Sequence, residues 1–295
     1  MKIALDPTPF HHSHGLLEFP RVVADLGYKY MQLTPHPDFI PFYNHPKADD
    51  ALVAALKKAV ADAGIEIASV LPVLRWSGPD EDAREAAVRY WKRAIQIAVD
   101  LGVSTMNTEF SGRPEKAEVS ERAFYRSMEE LLPIIEREGI DLLIDPHPDD
   151  FVEEGLAAIR MIRGVNSPNV GLVYVASHSF HMADDPLAIM RAAGDKLRLV
   201  HVADTMDHHA SHGLRYITNP PGNPVRVHQH LKIGDGDVNW EQFFGGLAEI
   251  GFLDREDTVM VSSVFAEDDD AENVSRYQLE AMSRFVAQAG EKKTS

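Results

Sequence analysis

The amino-acid sequence predicts a (β/α)8 barrel, a closed α/β fold, with residues 1–295 forming one domain. Two observations carry that expectation. Four times a helical pattern stops at a glycine and a short strand-like run follows; Gly27, Gly64, Gly102 and Gly139 stand 37, 38 and 37 residues apart. Four further strand-like runs, Lys2–Asp6, Val170–Ser177, Leu197–Asp204 and Thr258–Phe265, bring the count to eight.

Each element has a local reason. Glycine just past a helix relieves the left-handed backbone that terminates it. The apolar, β-branched runs that follow, such as IEIASVLPV after Gly64, read as parallel strands covered on both faces. Between them the segments are amphipathic. Leu52, Leu56 and Val60 recur at four-residue steps behind Asp49 or Asp50 as N-cap. Val88, Trp91, Ile95 and Val99 repeat the pattern, as do Leu131, Ile134 and Ile135. Eight strands alternating with helices favour closure into a barrel. A doubly wound open sheet is the alternative, but no glycine-rich phosphate fingerprint follows the first strand. Residues 206–236 form the longest irregular stretch, expected to lie over the catalytic face.

Composition narrows the function classes. A net charge of −17 disfavours nucleic acid and anionic membranes as partners. No apolar run reaches the ~20 residues that span a bilayer, and the N-terminus lacks a signal-peptide pattern. With no cysteine there is neither thiolate chemistry nor a disulfide, and a reducing cytoplasm is the expected home. The fourteen histidines are the unusual feature.

In this fold active sites lie at the C-terminal ends of the strands. Those ends carry Asp6, His36, Glu109, Asp145, His147, His178, His201 and Asp204. Buried charges without partners are costly, so a metal ion or a polar polyol explains this convergence better than packing does. Asp145 and His147, two residues apart, are expected on one face, Asp145 as metal ligand and His147 as acid or base; the plain alternative is a capped turn with His147 exposed. His178 and His201 are candidate ligands, and Asp204 is expected to support a ligand or meet a substrate hydroxyl. His228 and His230 could aim two imidazoles at one site or simply be exposed. Glu109 is a second proton-transfer candidate, with Arg113 either its ion-pair partner or a substrate contact. Trp76, with Phe39, Phe42 and Tyr43, forms either an apolar wall for a ring-shaped substrate or core. His11, His12 and His14 are expected to line the mouth or to be solvated.

The strand-end order and the segment LKIGDGDVNW, with its Gly234-Asp235-Gly236 turn, resemble the sugar phosphate isomerase/epimerase superfamily with the xylose-isomerase-like barrel, over essentially the whole chain. EIASVLPVLRWSGPDED, LIDPHPDDF and VHVADTMDHHASHGLRY look closer still to isomerase-like proteins of inositol catabolism and to the catalytic α subunits of C-glycoside deglycosidases. The resemblance implies a divalent metal held by Glu, Asp, His and Glu from strands five to eight. Asp145 stands at the first position and His201 at the third. Val175 replaces the aspartate, making His178 its substitute, and Ser262-Ser263 replaces the last glutamate, leaving His230 for the vacancy.

A carboxylate with several imidazoles suits one transition metal, Mn2+ foremost with Zn2+, Co2+ or Fe2+ as alternatives, over an all-oxygen Mg2+ or Ca2+ site. The expected enzyme is an isomerase or epimerase that removes the proton beside the carbonyl of a keto-cyclitol or keto-sugar. Alternatives are a lyase cleaving 3-oxo-C-glycosides by β-elimination, which would work with a small partner subunit, and a non-catalytic sugar-binding barrel. Homo-oligomerisation is a further possibility for the assembly.

Overall fold

A computed structural model describes residues 1–181, 185–207, 216–217, 227–265 and 270–294, excluding the side chains of 181, 216–217, 227–228 and 292–294. Eight parallel strands close into a barrel: β1 (Lys2–Leu5), β2 (Tyr30–Leu33), β3 (Glu66–Val70), β4 (Thr105–Glu109), β5 (Asp141–Asp145), β6 (Val170–Val175), β7 (Leu197–Val202) and β8 (Val259–Ser262). Each pairs with its neighbours in sequence, and β8 returns to β1 with Leu5 opposite Ser262. The helices are α1 (Phe19–Asp25), α2 (Asp50–Ala63), α3 (Glu81–Leu101), α4 (Ala117–Arg137), α5 (Gly155–Val165), α6 (Ala176–His181), α7 (Pro186–Ala193), α8 (Trp240–Glu249) and α9 (Ala271–Thr294).

The glycine cadence works as its chemistry requires. Gly64 and Gly102 end α2 and α3 at φ 70° and 79°, a region open to glycine without steric cost. At the other end of α2, Asp49 is the cap: its carboxylate accepts from the Leu52 amide at 2.8 Å. The strand expected over Val170–Ser177 stops at Val175 and passes directly into α6. The β-branched run ends there, and Ala176–His181 carries no glycine or proline to separate strand from helix.

Two apolar layers result. A large cluster packs strands against helices, around Leu142, Ile144, Leu172, Val200 and Val202. A smaller one fills the barrel lumen with Ala4, Ala68, Leu143, Val173, Val175, Leu199, Val259 and Val261. Each such aliphatic side chain contributes about 1.5–3 kcal/mol on full burial. Successive strand residues point to opposite sides, so the lumen set also decides which polar residues meet above it.

Candidate active site

Two residues beyond the lumen layer, the strands deliver their polar ends. Leu143 leads to Asp145, Leu199 to His201, and Val261 to Ser263. Glu109 and Asp145 are in register across β4 and β5, and His201 stands opposite Val175 and Val261. Beneath this lip lies an amide network absent from the sequence expectations. The Gln32 amide nitrogen donates to Ser69 Oγ (2.9 Å) and Asn107 Oδ1 (3.0 Å), and stands 3.3 Å from His201 Nε2. Its signal in the sequence was polar residues inside otherwise apolar strands. Burial, aided by nearby His230, pushes His201 down to about 3, so its imidazole is neutral at ordinary pH.

Above the network, His178 lies in the first turn of α6. Its Nδ1 is 3.3 Å from Asp145 Oδ2, and its Nε2 is 3.3 Å from His230 Nε2. His230 Nδ1 is 2.7 Å from the Ser263 carbonyl oxygen. A carbonyl can only accept, so Nδ1 carries the proton and Nε2 presents a lone pair. Burial raises the Asp145 carboxyl well above the usual range, and Glu109 and Asp150 add to the effect. The trio therefore has two self-consistent states. In one, Asp145 is protonated and lies beside His178 Nδ1, in contact but outside hydrogen-bond geometry, while His178 Nε2–H donates to His230 Nε2. In the other, Asp145 is ionised beside a proton on His178 Nδ1, and two bare Nε2 atoms face each other. The second state needs a cation between them. Two nitrogens bound to one tetrahedral metal at 2.0–2.1 Å stand roughly 3.4 Å apart, close to the separation found here. Among the described residues, no group of three or more His, Asp or Glu side chains is arranged to hold a metal ion. Asp145 Oδ2 lies 3.3 Å from His178 Nδ1, on the side of that imidazole away from His230.

His147 links this trio to a second pair. Its ring meets His178 edge-on at 4.7 Å between centroids. Its Nδ1 lies 2.7 Å from the Pro148 carbonyl oxygen, so the proton sits there and Nε2 is the basic nitrogen, 3.5 Å from Glu109 Oε1. Ser111 Oγ donates to Glu109 Oε2 at 3.4 Å. Asp150, which sequence reasoning missed, clamps the loops together. Its carboxylate accepts from the Ser111, Gly112 and Phe151 amides at 2.5, 2.7 and 2.7 Å, with its pKa raised to about 6 by burial and by Glu109. The clamp is tight, since a Cβ on Gly112 would stand 2.2 Å from the Phe151 ring.

The remaining candidates fall elsewhere. Asp204 is fully buried, and its carboxylate accepts from the Thr205, Gly234 and Val238 amides and from Trp240 Nε1, at 2.8–3.1 Å. It anchors the Leu231–Trp240 segment and does not face the substrate side. Trp76 is core: fully buried against Trp91 and Phe124, with its indole N–H bound to the Glu109 carbonyl. Phe39 is also buried, whereas Phe42 and Tyr43 are exposed. His36 sits beyond β2, across the strand ring from β6, edge-on to His11 and Phe19. There it lines a separate recess of about 700 Å3 with His11, His12 and His14. Arg113 makes no ion pair with Glu109, although both line one smaller recess. The His228 side chain, the His181 side chain and residues 208–215 and 218–226 of the expected loop lie outside the described residues. What is described of that loop includes a short antiparallel pairing of Tyr216–Ile217 with Val227–His228.

Residues 20–285 match the profile of a family described as xylose isomerase-like TIM barrel. No curated protein matches the chain in sequence. Among solved structures, D-psicose 3-epimerase with D-tagatose from Clostridium cellulolyticum H10 superposes with a TM-score of 0.74 at 18% identity, covering 97% of this chain and 99% of that one. The IOLI protein with a bound zinc atom gives 0.74 at 20% identity, covering 98% and 99%. An L-ribulose 3-epimerase gives 0.75 at 14%, covering 99% and 97%. At these identities the likeness is one of fold.

Proposed function

Since the chain belongs to the xylose isomerase-like TIM barrel family, we propose that it is a divalent-metal-dependent isomerase or epimerase that removes the proton beside the carbonyl of a keto-cyclitol or keto-sugar. The observation that carries this reading is the tautomer of His147. Pro148 holds the proton on Nδ1, which makes Nε2, on the side of Glu109, the ring nitrogen that can take a proton from a substrate placed between Glu109 and His178. Solved structures of like fold support it, because two are named as sugar 3-epimerases and one is described with zinc.

His178 and His230 fit a metal through their converging Nε2 atoms, with Asp145 orienting His178 and His201 the neutral imidazole below. A divalent metal held there supplies Lewis-acid polarisation of the substrate carbonyl or the adjacent hydroxyl. The protein's own groups do the rest. His147 Nε2 accepts the α-proton, and Glu109 Oε1, 3.5 Å away, stabilises the resulting imidazolium. Delivery of a proton to the opposite face of the same carbon by a second donor across the substrate gives epimerisation; returning the His147 proton to the neighbouring carbon, as the hydroxyl there loses its own to become the new carbonyl, gives isomerisation. Asp150 keeps the Ser111–Gly112 turn, and with it Glu109, in place.

The test is solvent exchange. Incubated in D2O with a keto-inositol, the wild-type protein should exchange the α-proton, followed by NMR. His147→Gln should lose exchange while still binding metal. If Glu109→Gln loses exchange and His147→Gln does not, the base is Glu109. If no keto-cyclitol or keto-sugar exchanges, the reaction is of another class.

A further inference from the structure

Beside the Glu109–His147 pair opens a recess of about 240 Å3 whose walls include Tyr43, Arg75, Arg113 and Asp149. Three of the four non-glycine residues with positive φ among the described residues line it: Tyr43 (57°), Ser111 (56°) and Asp149 (65°). Strain of this kind persists where the surrounding structure holds it, and it collects at ligand sites. The two arginines are the chemical content. Arg75 stacks over the Tyr43 ring at 4.0 Å, a contact that fixes the guanidinium plane without using its hydrogen-bond donors. Among the described residues, neither Arg75 nor Arg113 makes a side-chain hydrogen bond or an ion pair. The carboxylates nearby are engaged: Asp150 takes three backbone amides, and Glu109 takes Ser111 and faces His147.

We propose that this recess is a carboxylate subsite, in which Arg75 and Arg113 receive the acid group of the substrate while Glu109 and His147 face its reacting carbon. The substrate is then a keto-sugar acid or keto-cyclitol acid rather than a neutral polyol, a refinement that rests on the proton-abstraction reading above. Planar forked donors match a carboxylate in two-point fashion. Glu109, Asp149 and Asp150 also border the recess. A doubly charged phosphate would meet about twice the repulsion from these groups that a single carboxylate meets.

Calorimetric titration of the metal-loaded full chain with D-glucuronate, its neutral isostere D-glucuronamide, and glucose 6-phosphate tests the assignment. Glucuronate should bind roughly tenfold or more tightly than glucuronamide, as charge-assisted pairing requires, and more tightly than the phosphate. Arg113→Gln and Arg75→Gln should each reduce that preference, and the double variant should abolish it. Equal affinities in wild type, a preference that survives the double variant, or tightest binding of glucose 6-phosphate would overturn it. The two readings fail separately. Exchange with a keto-inositol in the absence of any glucuronate preference removes only the subsite. A glucuronate preference without exchange of any keto substrate leaves the subsite and removes the reaction.

Discussion

Two imidazoles of the site take their tautomer from a backbone carbonyl. Ser263 offers His230 only a carbonyl, and Pro148 does the same for His147, so both present Nε2 to the site. His230→Ala should therefore weaken Mn2+ or Zn2+ binding by about 10–100-fold or more, measured by competition with a chelator; the lower bound is the loss seen for supporting groups around a metal. Unchanged affinity would place the ion elsewhere. Asp6 tests burial alone. Its carboxyl, fully buried and holding the Thr8 amide at 2.9 Å, is raised from 3.8 to about 6. A raised folded-state value means the group's stabilisation is intact below pH ~4 and is lost as pH rises through about 6. The loss is on the order of 3 kcal/mol. Asp6→Asn should remove that component, so urea midpoints of variant and wild type should diverge between pH 4 and pH 7, with the variant gaining. At this scale the sequence announced the side chains but not their backbone partners. Asp145, His147, His178 and Glu109 were legible as strand-end polar residues and His230 as the loop candidate for a vacant ligand position, and in the structure these side chains lie near one another. The roles of Ser263 and Pro148 were not, because a carbonyl is common to every residue. Asp204 was misread through parity. His201 faces the lumen, so a residue three further on points the other way, toward the segment it anchors.

At the scale of elements, the Leu231–Trp240 segment gathers around the Asp204 carboxylate, with Gln278 and Tyr277 as further contacts at Ile233. Asp204 takes four donors, and its backbone also pairs with Leu231 in both directions, at 2.7 and 2.8 Å. Gly236 is where the chain passes the carboxylate: a Cβ there would stand 2.5 Å from Asp204 Oδ1 and 2.5 Å from the Thr205 carbonyl oxygen. Gly236→Ala should cost about 1–3 kcal/mol through this overlap, read from chemical denaturation. Asp204→Asn should cost about as much, since one of its two head-group atoms can no longer accept. If either variant is as stable as wild type, the segment is not anchored there. The glycine-acid-glycine turn was visible in the sequence, but the glycine's reason was not, because it depends on a carboxylate 32 positions earlier. Helix α6 was hidden for a similar reason. No local punctuation marks the change at Val175, and the helical turn that carries His178 toward Asp145 is a tertiary outcome.

For the whole molecule, the periodicity of the strands and the glycine cadence made the closed barrel readable. No helix among the described residues is long and apolar enough to cross a membrane. A cation held by His178 and His230 would compete with any proton on their facing Nε2 atoms. Metal binding should therefore release protons and tighten as pH rises, seen as a dependence of the apparent enthalpy on buffer ionisation. A pH-independent affinity would exclude this linkage. Trp76 and Trp91 lie 4.8 Å apart with their planes tilted by 30°, and the Trp76 indole is tied to the Glu109 carbonyl. Two indoles so close couple their electronic transitions, giving the barrel a native circular-dichroism band seated under strand β4. The optical activity of that pair reports, without any label, whether the strand tip that carries Glu109 is in place.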